Sequence, residues 1–90
     1  MSITRPCIIA LSDLVHSGRD IARAADSIGY TRLATAAAEC AATLDGARTR
    51  LVEDGPDYLD AAWAFLDAGR RMTADHARLL DRALMERLHA

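Results

Sequence analysis

A chain of 90 residues with a net charge of -2 is one domain's worth of protein, read here as a single helical unit over 1–90. Its eleven basic residues are all arginine, and Lys, Asn and Gln are absent, which excludes P-loop and Schiff-base chemistry because both need a lysine. Ten Asp and three Glu interleave with the arginines, so no one-signed stripe faces a phosphate backbone, and no nucleic-acid partner is expected.

Pro6 suits the first turn of a helix, where its missing N–H costs nothing, and the apolar pattern then runs unbroken to Ile28. Within it Ile8, Leu11, Val15, Gly18, Ala22 and Ala25 recur at steps of three and four. Gly29 is a natural left-handed stop, and Thr31 is the expected N-cap of a second helix reaching about Glu53. That helix repeats the pattern in Leu33, Ala37, Cys40, Leu44, Ala47 and Leu51. The small residues of the two stripes predict a close backbone approach along a tightly paired hairpin, and mid-helix Gly18 marks where it is tightest.

Gly55-Pro56 ends the second helix, and Asp57 and Asp60 place carboxylates in the first turn of a third, which carries Leu59, Ala62, Trp63, Phe65 and Leu66 to a stop near Gly69. Thr73 is then read as the N-cap of a fourth helix, with Asp75-His76 in its first turn and Ala77, Leu80, Leu84 and Leu88 as its stripe, widened by Leu79, Ala83 and Met85. The expected architecture is all-α, a small up-down-up-down four-helix bundle made of two helical hairpins. Pairs such as Asp20 with Arg23, Asp67 with Arg71 and Arg82 with Glu86 read as solvated helix faces.

Cys7 and Cys40 sit in apolar helical surroundings and are expected to be buried, reduced thiols. The run from Cys7 to Leu11 is too short for a signal core or a membrane span, so a cytoplasmic location and no membrane contact are expected. Abundant Ala and Arg without Lys is the composition of a GC-rich bacterial genome. Among candidate metal ligands, Cys7, Cys40, His16, His76, His89, Glu39 and Asp75 form none of the paired motifs of zinc or di-iron sites, so no metal and no cofactor is expected.

His16 is the polar residue with the most chemical interest, one position past Val15 on a flank with Ser12, Arg19 and Arg23. Two readings stand side by side: a boundary histidine paired with Asp20, and a phosphoacceptor whose phosphoryl group Arg19 would stabilise. The stretch from Ala24 through Ser27-Ile28-Gly29-Tyr30 to Ala34, continuing by Ala38-Glu39-Cys40 to Leu44, resembles the helix-loop-helix of histidine phosphotransfer (HPt) domains. In that family a helix with H-x-x-K-G leads into a Leu-Gly turn and a helix of the L-A-x-x-A type. The resemblance covers about a third of the chain and implies a helical hairpin. With Gly29 on the family's turn glycine, the acceptor position falls on Arg19 and the lysine position on Ala22, which implies a degenerate domain that takes no phosphate. With His16 as the acceptor, Arg19 replaces the lysine, Asp20 the glycine, and the turn comes three residues late.

Trp63 and Phe65, with Tyr58 nearby, are nearly all the aromatic content and are read as filling the middle of the core. Being two apart they cannot share a narrow helical face, so a second reading leaves one of them near the surface beside Arg70 and Arg71. The function expected from these residues is non-enzymatic: an adaptor, anti-activator or chaperone-like regulator that binds another protein or itself, as a homodimer, through Tyr58, Trp63, Phe65, Arg70 and Arg71. The alternative is an HPt-like phosphorelay protein with His16 as phosphoacceptor and Arg19 assisting.

Overall fold

The computed structural model describes residues 2–89, and every element among them is helical. α1 spans Arg5–Ser27, α2 Thr31–Asp54 and α3 Leu59–Leu88, with a single 3₁₀ turn, Gly55–Tyr58, joining α2 to α3 without intervening coil. The chain doubles back at each turn to form an elongated rod of 52 × 17 × 15 Å. α3 therefore runs parallel to α1 and antiparallel to α2.

The first reversal follows the sequence reading. Gly29 takes φ +77, and the amides of Tyr30 and Gly29 donate to the carbonyls of Ala25 and Asp26 at 2.8 and 3.0 Å, closing α1 with a left-handed cap. The N-cap position of α2 falls to Tyr30, one residue before the expected Thr31, and makes no side-chain capping bond. The second reversal uses Gly55 at φ +65 followed by Pro56 in the 3₁₀ turn. Asp57 lies in that turn, leaving Asp60 as the acid in the first turn of α3.

Four helices are not what forms. The expected third and fourth helices are one continuous helix of 30 residues, so the second hairpin does not exist. Gly69 keeps helical dihedrals and is buried, because a Cβ there would come within 2.6 Å of Leu44 Cδ2 and 3.1 Å of Leu14 Cδ2. Its role is close approach rather than termination. Thr73, expected as an N-cap, is buried one turn later on the same face, and Asp75-His76 lies mid-helix, with Asp75 bonded to Arg78.

The small-residue seam between α1 and α2 forms in part: Gly18, Ala25, Ala37 and Ala47 are buried, Ile8 and Ala22 only partly, and Ala41, outside the expected stripe, joins it. Gly18 faces α2 so closely that a Cβ would lie 3.2 Å from Ala41 Cβ and 3.7 Å from the Ala37 carbonyl. Large side chains gather at one end, where Cys7, Leu11, Val15, Leu44, Leu51 and Leu66 form the main cluster. A smaller cluster of Ala25, Leu33 and Leu80 holds the other end, joined by Ile21, Ile28 and Tyr30. Gly18, Ala37, Gly69 and Thr73 are buried outside both clusters. At the far end the Arg87 guanidinium donates to the Ile28 carbonyl at 3.1 Å, tying α3 to the α1–α2 turn.

Of the expected surface pairs, Asp20–Arg23 and Asp67–Arg71 are formed, the latter at 3.2 Å. Arg82–Glu86 is not among the ion pairs of the described residues. Arg19 instead reaches across to Asp45 on α2 at 3.8 Å. No helix among the described residues is long and apolar enough to cross a membrane.

Candidate functional site

Two residues along a helix turn the side chain by about 200°, and this decides how α3 presents its aromatics. Phe65 points into the groove between α2 and α3, whereas Trp63 lies on the opposite flank, seven residues before Arg70. Their exposures are 39% and 41%, so neither fills the middle of the core as expected; the most buried large side chains are Leu11, Leu51 and Leu66. Tyr58 is half-buried in the 3₁₀ turn with the Arg50 guanidinium 4.9 Å from its ring centre. A hydrogen bond and charge from Asp54 in turn hold the Arg50 guanidinium above its usual pKa. Arg71 pairs with Asp67 on the outer face of α3. The five sequence-derived binding residues are thus spread over both flanks of α3 and the turn before it.

What the structure does bring together is a set of which the sequence points to Phe65 alone as a binding residue. Phe65, Met72 and Leu79 stand at intervals of seven on one side of α3, exposed by 39%, 49% and 38%. Phe65 and Met72, with Ala68, form one wall of a groove of about 400 Å³ whose other wall is Ala36, Glu39, Cys40 and Thr43 of α2. Leu79 continues the line into a second concavity at the far end, beside Ala83 and Tyr30. Small residues on α2 make the groove: Ala36, Cys40 and Thr43 leave room that longer side chains would fill. The signal was the seven-residue recurrence, hidden by reading a helix break at Gly69.

Comparison with known proteins finds no family model, no characterised protein and no solved structure that matches this chain.

His16 is exposed on α1, and its flank residue Arg19 is engaged with Asp45. Asp20, offered as its partner, bonds Arg23 instead. No group of three or more His, Cys, Asp or Glu side chains converges on a metal-sized space among the described residues. Both cysteines are buried and unbridged.

Cys7 is fully buried, and burial pushes its thiol above the ordinary range, with the Arg70 guanidinium opposing in part. A raised folded-state pKa stabilises the fold below the ordinary thiol pKa, and that contribution is lost as pH rises through the folded value. Stability in urea is therefore expected to fall as pH rises above the ordinary thiol pKa, and Cys7→Ala should flatten that decline. An unchanged slope in the variant would place its cause elsewhere.

Proposed function

We propose that this protein is a non-catalytic helical interaction module, working through the face of α3 that carries Phe65, Met72 and Leu79. The observation that carries this reading is the line of three half-exposed apolar side chains beside an apolar groove. Contiguous apolar surface rimmed by charge is the usual mark of a protein-binding face, since leaving it in water has a continuing cost. A groove of about 400 Å³ between α2 and α3 leaves room for side chains of an added helix, which would rest on both and complete a fourth position in the bundle. An adaptor, anti-activator or chaperone-like role describes such a module, and binding to another protein or to itself uses the same surface.

The test replaces Phe65 and Met72 with Asp. Because both side chains are at the surface, the fold is expected to persist, with a stability change of about 0.5 kcal/mol per site. Association, read by co-purification of an untagged copy or of a host protein with the tagged chain, should fall at least about ten-fold, as loss of interface anchors does. Undiminished association in a folded double variant would refute the reading.

A further inference from the structure

At the far end of the rod the α1–α2 turn over 28–30 faces the last turns of α3 across a concavity of about 520 Å³, open on its outer side. That volume is in the range of small-molecule sites, about 300–1,000 Å³. Its walls are apolar where Ile28, Leu79 and Ala83 line it, and the Tyr30 ring adds an aromatic surface. Three charged side chains, Arg82, Glu86 and Arg87, complete the lining. At about 100° per residue, Leu79, Ala83 and Glu86 all fall inside the sector of about 140° that Arg82 and Arg87 bound on α3. The apolar floor and the one carboxylate therefore lie between two guanidiniums.

These charges are not neutralised within the fold. Arg19, Arg23, Arg48, Arg50, Arg71 and Arg78 all pair with acids, whereas Arg82 and Glu86 enter no ion pair or side-chain hydrogen bond among the described residues. The two stand one turn apart, but Arg before Glu is the weaker order for such a pair. Arg87 gives one N–H to the Ile28 carbonyl at 3.1 Å, which holds its guanidinium at the rim and leaves its remaining donors for another acceptor. A simple anion in this space would lie beside Glu86, and a simple cation would lie between the guanidiniums. A molecule with both charges on adjoining atoms and an apolar body meets neither repulsion.

We propose that this concavity binds an α-amino acid with an apolar side chain. Its carboxylate is held by Arg82 and the free edge of Arg87, its ammonium by Glu86, and its side chain by Leu79, Ala83 and the Tyr30 ring. Side chains at i and i+4 are about 5–6 Å apart at Cβ, which lets Arg82 and Glu86 reach the neighbouring charged groups of one such molecule. This site goes beyond the interaction face and shares Leu79 alone with the stripe on α3.

Titration of the full chain with L-leucine, followed by backbone amide NMR shifts, tests the site. Saturable shifts are expected over 28–30 and 79–87. Isocaproate, which lacks the ammonium, and isoamylamine, which lacks the carboxylate, should each bind at least about ten-fold more weakly, as loss of a charge-assisted hydrogen bond does. Arg82→Gln and Glu86→Gln should each weaken leucine binding by a similar factor; both side chains are exposed, so the fold is expected to persist. Absence of any saturable shift with leucine would overturn the site. Isocaproate binding as tightly as leucine, or a Glu86→Gln variant that holds leucine as well as the parent does, would overturn the amino acid as its ligand. Arg82→Gln leaves Phe65 and Met72 in place, so co-purification through the α3 stripe should be unchanged in that variant, and loss of amino-acid binding is separable from loss of protein association.

Discussion

Leu44→Ala is expected to lower the unfolding free energy by about 2–5 kcal/mol, the range for truncating a buried leucine. Leu44 is 2% exposed, belongs to the main cluster and fills the space that Gly69 leaves on α3. In a domain of this size each kcal/mol moves the melting temperature by about 4–8 °C, so urea and thermal melts will both register the loss. A second substitution makes the prediction specific. Gly69→Ala alone puts a Cβ 2.6 Å from a Leu44 methyl, offsetting the gain in helix propensity of about 1 kcal/mol. With Leu44 already cut back to alanine, only the 3.1 Å approach to the Leu14 methyl remains, and Gly69→Ala should cost much less than it does in the parent. A double-mutant cycle with strong positive coupling is expected; additivity within about 0.5 kcal/mol would mean the two sites do not meet.

Gly18→Val should be nearly as damaging for the opposite reason. The distance of 3.2 Å from a Gly18 Cβ to Ala41 Cβ leaves alanine just tolerable, while the γ-methyls of valine have nowhere to go without moving α1 off α2. Overpacking of this kind costs about 1–3 kcal/mol. Gly18→Ala should stay within about 1 kcal/mol of the parent, because the gain from removing a mid-helix glycine offsets the tight contact. Denaturation midpoints of the two variants therefore diverge sharply, and equal effects would show that the helices are not in close contact at this point.

Three glycines show how far the sequence could be read. At Gly29 and Gly55 the apolar periodicity stops, a Thr or Pro follows within two residues, and the backbone takes positive φ, so composition and geometry agree. At Gly69 the periodicity does not stop: Ala62, Leu66, Gly69, Thr73 and Leu80 stay on one side of a single helix, and the glycine serves the neighbour across the interface. A residue's letter cannot distinguish a turn from a close approach; the pattern running through it can. The same misreading hid the candidate site, since a stripe from Phe65 to Leu79 cannot be seen across an assumed break. Tyr58, Trp63 and Arg70 were singled out by type, and side-chain direction then separated them from Phe65, because position around an axis depends on knowing that the axis is continuous.

The unequal sharing of large side chains between the two ends has a kinetic side. The end built from Ala25, Leu33 and Leu80 has one buried leucine from each of α2 and α3, with Ile21, Ile28 and Tyr30 packed around them, and beyond it Leu84 is half-exposed and Leu88 largely in water. Opening that end breaks few contacts and leaves the leucine-rich end intact, so it belongs to the low-energy part of the native ensemble. The Arg87 bond to the Ile28 carbonyl then acts as a latch on the weakest region of the rod, and with the stripe running from the firm end into the loose one, a bound helix would brace the segment least able to hold itself.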